Sequence, residues 1–186
     1  MTMQQQVKDY QSVLEWVTEL AREIRPDDFG RATPCTEYTV RDLLGHLVGT
    51  ARRGLATATG QSHRGIPHVF SDIPDRELAL AYGADAAQLP TAWQKLPGDH
   101  VVIAPWGECS ALSAVQGFTV ETLVHGWDLA TAIGRDREAR RQVAEPALAY
   151  VTVPERLRGV MYDAPVTAQG HEGPTTRLAH YLGRSG

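Results

Sequence analysis

The pattern of apolar residues predicts a mainly all-α protein built on a four-helix bundle. A small hairpin or structured loop is expected before its last core helix, and an irregular tail at the C-terminus. Three observations carry this. Four long segments repeat their apolar residues at the helical period of 3.6. Residues with capping chemistry stand where those segments begin and end. Only one short stretch, Val101 to Ile103, has the β-branched composition of a strand.

The first helix is expected over about Val7 to Ile24, with Tyr10, Val13, Leu14, Val17 and Leu20 on one face and Pro26 and Asp27 ending it. The second begins after Thr39, whose hydroxyl can cap it with Asp42 three residues on, an acidic variant of the capping box. Val40, Leu43, Leu44, Leu47, Val48 and Ala51 form its inner stripe. Gly60 to Pro74 carries glycine, proline and no periodicity, so it reads as a loop. A third helix is expected from Asp75 to Leu96, kinked or broken by Pro90, which cannot donate to the carbonyl of Ala86. Pro105 to Gly107 reads as a turn after the extended stretch. A fourth helix follows over Ala114 to Ile133, ended by Gly134. Glu138 to Val151 looks helical around Pro146, the stretch from Leu157 to Pro174 looks irregular, and Thr175 to Leu182 reads as a short terminal helix.

Composition narrows the function. The chain has 186 residues, 42% hydrophobic and 22% charged, enough for one domain over residues 1–186 to bury a core without staples. A net charge of −4, with basic residues dispersed, is unlike a nucleic-acid binder. The polar opening MTMQQQVKDYQ is not a signal peptide, and no apolar run is long enough to span a membrane. Cys35 and Cys109 stand far apart, so two free thiols in a reducing cytoplasm are expected.

One stripe asks for more than burial. Glu121, His125 and Asp128 fall within about 60° of arc on the fourth helix at 100° per residue. A carboxylate and an imidazole four residues apart can converge on one metal ion, but a site needs a further ligand from another element. His46, on the flank of the second helix's apolar stripe between Leu43 and Gly49, is the candidate, and Gly45 and Gly49 beside it would permit close approach of another helix or a ligand; the ordinary alternative is a hydrogen-bonded core histidine. Three such ligands would leave one position open, as in a catalytic zinc site. His63, His68, His100, His171 and His180 read as loop or surface histidines. Asp128 can be exposed, or can orient a ligand imidazole.

The segments TPCTEYTVRDLLGHLVG (Thr33 to Gly49), PWGECSA (Pro105 to Ala111) and ETLVHGWDLATAIG (Glu121 to Gly134) resemble the DinB-like metal-binding proteins. The nearer likeness is to the branch related to the N-terminal domain of mycothiol-dependent maleylpyruvate isomerase, and the ending DAPVTAQGHEGPTTRLAHYLGR resembles its short single-domain members. The resemblance implies a DinB-like bundle holding one divalent ion, usually zinc, on His46, Glu121 and His125. Thr36, Glu37 and Tyr38 replace a Pro-Gly-Trp common in the family. The isomerase it resembles has a second domain that helps form the active site, so isomerisation of maleylpyruvate itself is not expected of this chain.

The function expected is therefore that of a metal-dependent thiol transferase or isomerase. Mycothiol or another low-molecular-weight thiol, held as a metal-bound thiolate, would attack a small electrophile. Asp128 would orient His125 or handle a proton, Trp106 and Phe118 would wall the pocket, and Arg52 or Arg53 would meet a carboxylate of cofactor or substrate. The same ligands would serve a hydrolase or lyase using metal-bound water. A bundle that binds a small molecule or partner without catalysis is the third reading. A homodimer is one expected assembly, since exposed bundle faces commonly pair.

Overall fold

A computed structural model describes residues 1–159 and 162–185. Val160 and Met161, inside the stretch expected to be irregular, and Gly186 lie outside the described residues. The elements in chain order are α1 (Met3–Arg22), α2 (Val40–Ala58), α3 (Asp75–Ala86), α4 (Leu89–Trp93), β1 (Val101–Ala104), β2 (Gly107–Ser110), α5 (Ala111–Ile133), α6 (Arg141–Tyr150) and α7 (Pro174–Tyr181). Helix α1 packs on α5 and α3, and α2 packs on the same two, which closes the four-helix bundle.

Local chemistry explains the boundaries. Thr2 caps α1 by accepting from Gln5 N, so the helix starts at Met3, four residues before Val7. At α2 the capping box forms between Thr39 and Asp42 in both directions. The expected third helix is two helices, α3 and α4, with Pro90 in the first turn of the second, where a missing N–H costs nothing. Helix α4 ends at Trp93, and the chain reaches Leu96 through tighter turns. Ser110 caps α5 by accepting from Ser113 N, so α5 starts at Ala111 rather than Ala114. Gly134 closes it in the left-handed conformation at φ 67°. Helix α6 begins at Arg141, later than expected, because Glu138 turns away to accept from the backbone N–H groups of Thr175 and Thr176 at the start of α7.

The hairpin pairs β1 and β2 antiparallel, Val101 opposite Ser110 and Ala104 opposite Gly107. Val102 and Ala104 face the core, while Val101 and Ile103 face out. The core runs through Tyr10, Leu43, Leu47, Tyr82, Trp93, Leu123, Trp127 and Leu129, all fully buried, each contributing roughly 1.5–3 kcal/mol by burial. Gly126 lets α1 and α5 approach closely; a Cβ there would meet the Trp16 ring at 2.4 Å. Among the described residues, no helix is long and apolar enough to cross a membrane.

Candidate metal centre

The close approach of loop and helix begins at two glycines. A Cβ at Gly45 would lie 2.8 Å from the Phe70 carbonyl, and one at Gly49 2.7 Å from that of Pro67. The partner that these glycines admit is thus neither a helix nor a ligand but the backbone of the loop after α2. Arg41 secures that loop through the carbonyls of Phe70, Ser71 and Ile73, and Arg53 through that of Pro67. The loop in turn delivers the His68 carbonyl to His46, 3.0 Å from Nδ1. A carbonyl only accepts, so His46 Nδ1–H donates and Nε2 is left with its lone pair.

On α5, His125 is oriented in the same way. Its Nδ1–H donates to Asp128 Oδ2 at 3.1 Å, and its Nε2 points to Glu121 Oε1 at 3.4 Å. His46 Nε2 lies 3.1 Å from that same oxygen. The donor atoms of His46, Glu121 and His125 are all within 4.8 Å of one another. Two nitrogen lone pairs and a carboxylate oxygen facing one point repel unless a cation or proton lies among them. Tetrahedral zinc with bonds of 2.0–2.1 Å sets its ligands about 3.4 Å apart, which the 3.1 and 3.4 Å edges match. The residues present therefore fit a divalent ion of this kind.

Electrostatics give the same picture without metal. Burial would raise the Glu121 carboxyl, but the two imidazoles hold it well below the usual carboxylate range. Burial would lower His125, yet the Glu121 and Asp128 carboxylates outweigh it and raise it to about 9. Burial lowers His46, with Glu121 only partly offsetting it. A proton on His125 thus takes the place a cation would fill. The His46 and His125 side chains are 8% and 6% exposed, whereas the Glu121 side chain is 34% exposed, so access is from the glutamate side.

The other expected residues divide. Arg53 is 7% exposed and feels the charge of Glu121 and the Tyr38 hydroxyl, while Arg52 is taken up by Asp85 at 2.7 Å and stacks on Phe70. Asp128 is fully buried, out of reach of a substrate, and its side chain meets His125 Nδ1 instead. Phe118 is 1% exposed between Trp93 and Trp106, which makes it core, and Trp106 rests on it and on Gly117 with about half its surface exposed. His180, expected on the surface, is buried in α7.

Sequence reasoning missed three contributors. Tyr38 lies with its ring centroid 5.1 Å from that of His46. Cys35 places its thiol beside His125 and Asp128, where burial pushes it up to about 11. Cys35, His125 and Asp128 make a second group of possible metal donors, but Arg184 sits on both Asp128 oxygens. Thr36–Tyr38, noted as a departure from the family, marked the first of these; no local signal marked the others. A cavity of about 740 Å³ lies elsewhere, between Thr57–Arg64, Lys95 and the hairpin. It lies at the C-terminal ends of α2 and α4, with Arg64 and Lys95 in its lining.

Fold and site together define a helical bundle with a two-histidine, one-carboxylate cluster between its second and last core helices. The chain belongs to the Mycothiol maleylpyruvate isomerase N-terminal domain family, whose profile matches residues 11–130. Among curated proteins it is 29% identical to Uncharacterized protein Rv0738 of Mycobacterium tuberculosis (strain ATCC 25618 / H37Rv) and to Uncharacterized protein MT0763 of strain CDC 1551 / Oshkosh. Each match spans 174 residues, 89% of this chain and 90% of the relative. The fold is similar to a crystal structure of mycothiol-dependent maleylpyruvate isomerase, with a TM-score of 0.64 at 15% identity over 80% of this chain and 68% of that one. A crystal structure of a histidine-to-alanine mutant of mycothiol-dependent maleylpyruvate isomerase gives 0.60 at 14% identity over the same shares.

Proposed function

We propose that His46, Glu121 and His125 hold one divalent cation, zinc by the chemistry of the donors, and that the protein, acting as a single domain, catalyses thiol-dependent transfer or isomerisation of a small electrophile with mycothiol as cofactor. The observation that carries the reading is the convergence of two Nε2 atoms on Glu121 Oε1, each ring fixed from behind by an obligate acceptor. The family relationship supports the choice of thiol. Zinc, when bound, lowers the pKa of a thiol so that it is ionised at neutral pH.

The rest of the reading concerns the chain's own groups. Asp128 keeps the His125 ring in one tautomer, and the His68 carbonyl does the same for His46. Arg53 presents a guanidinium that gives hydrogen bonds only to Pro67 O and Thr50 Oγ1, with no carboxylate in contact among the described residues. Its remaining N–H groups suit an anionic group of thiol or substrate. Tyr38 lines the same approach.

The test has two arms with the wild-type protein: consumption of mycothiol by a chloronitrobenzene, which releases chloride as the thioether forms, and mycothiol-dependent cis–trans isomerisation of an activated cis-alkene, which returns the thiol unchanged. Arg53→Ala should raise the KM for thiol or substrate at least tenfold, while Arg52→Ala leaves it unchanged. A protein that retains its metal yet neither binds nor consumes thiols contradicts the reading. The set of two histidines and a glutamate also occurs in zinc hydrolases, which favours hydrolysis as the second reading. Protection of the metal from a chelator by mycothiol separates the two, since only the thiol-dependent protein gains it.

A further inference from the structure

We infer that Arg184, two residues from the chain's end, is a positioning residue of the centre proposed above, acting through Asp128 on His125. The inference rests on the metal reading. Asp128 has no exposed surface, and a carboxylate withdrawn from water needs a cationic partner. Arg184 supplies it: Nε lies 3.2 Å from Oδ1 and 3.1 Å from Oδ2, with the side chain 15% exposed. Oδ2 also accepts from His125 Nδ1. With its charge met by arginine, Asp128 is free to serve His125 as a simple acceptor, which leaves Nε2 turned toward Glu121.

The tail is built to deliver this arginine. Helix α7 is docked on α5 by the hydrogen bond from Trp127 Nε1 to Thr176 Oγ1, at 3.0 Å. It ends in a Schellman turn: Gly183 N–H donates to His180 O, and Arg184 N–H to Ala179 O at 2.9 Å. Gly183 has φ +91°, a conformation that favours glycine, and a Cβ there would strike the Asp163 backbone at 2.9 Å. The turn sends the next side chain back toward α5, across 56 residues of sequence. The short terminal helix and the turn that closes it therefore belong to the support of the centre.

The test is a zinc competition titration with a chromogenic chelator on the full chain. Losing the direct partner of a ligand costs about 10–100-fold; Arg184 acts one contact further out, so Arg184→Ala should weaken zinc binding by about tenfold, and Arg184→Lys should recover most of it. Thr176→Val removes one hydroxyl that holds α7 and leaves Arg184 and Asp128 in place; it should lower the melting temperature but cost clearly less zinc affinity than Arg184→Ala does. The proton resonance of the His125 Nδ1–H, read in metal-free protein, should persist in Arg184→Lys and be lost or shifted in Arg184→Ala. If Arg184→Ala does not fold, Arg184→Gln takes its place in both measurements. Zinc bound equally by wild type and the folded alanine or glutamine variant overturns this inference alone, as does an equal loss in Thr176→Val. A wild-type chain that binds no zinc overturns the proposed function and this inference with it.

Discussion

Replacing Gly49 with alanine places a methyl group where the loop backbone crosses α2. The new Cβ would lie 2.7 Å from Pro67 O and 3.1 Å from His68 O, against the 3.4 Å of ordinary contact, so the loop must retreat by about 0.7 Å. Two hydrogen bonds depend on its position, Arg53 to Pro67 O at 2.8 Å and His46 Nδ1 to His68 O at 3.0 Å. A retreat of that size takes both out of hydrogen-bonding range. The charged bond contributes roughly 2 kcal/mol and the neutral one roughly 1. Alanine in place of glycine inside a helix gives back about 1 kcal/mol. The net loss is about 2 kcal/mol, which lowers the melting temperature by roughly 4–8 °C for a chain of this length. Differential scanning calorimetry reads it directly, and zinc affinity should fall with it because His46 loses the acceptor that orients it. An unchanged or raised melting temperature would refute the argument that the loop backbone is pressed onto α2.

Zinc binding should strengthen as pH rises from about 6.5 to about 9. His125 must release its proton to become a ligand, and its value in the folded metal-free protein is raised to about 9. The sign for stability runs the other way: the raised value stabilises the metal-free fold fully below pH 6.5, and that contribution is lost as pH passes about 9. Melting curves of metal-free protein and chelator competition at each pH check both trends; a flat affinity across the window contradicts the protonation of His125. Phe118→Leu should destabilise the fold by about 1–2 kcal/mol in urea unfolding, as repacking of a buried aromatic does, while zinc content stays that of wild type. Loss of zinc in a folded Phe118→Leu protein would return Phe118 to the pocket wall.

Much of the fold was legible because helices advertise themselves locally. The apolar period set α1, α2 and α5, Pro90 marked the break between α3 and α4, and Pro105–Gly107 marked the hairpin turn. Boundaries slipped where polar residues carry no period. The glutamines at the start of α1 are silent, and Glu138 gives up helix to accept from the first turn of another helix, 37 residues on at Thr175. At the site, Glu121, His125 and Asp128 could be grouped because one helix presents them at spacings of four and three. His46 could be joined to them only through Gly45 and Gly49, which signal close approach without saying what approaches, and through the family resemblance. The loop carbonyl, Tyr38 and Arg184 reach the site by tertiary folding, and backbone oxygens have no sequence signature at all. For the same reason the sequence could not tell Arg52, spent on Asp85, from its neighbour Arg53, turned inward beside Glu121.

The central claim is that three side chains from α2 and α5 grip one ion. Metal analysis by mass spectrometry of the purified wild-type protein and of His46→Ala, Glu121→Gln and His125→Ala tests it most directly. Close to one zinc per wild-type chain, with little in the folded variants, is the predicted result. Undiminished zinc in all three variants, or a folded wild-type chain that takes up none when zinc is supplied, would contradict it.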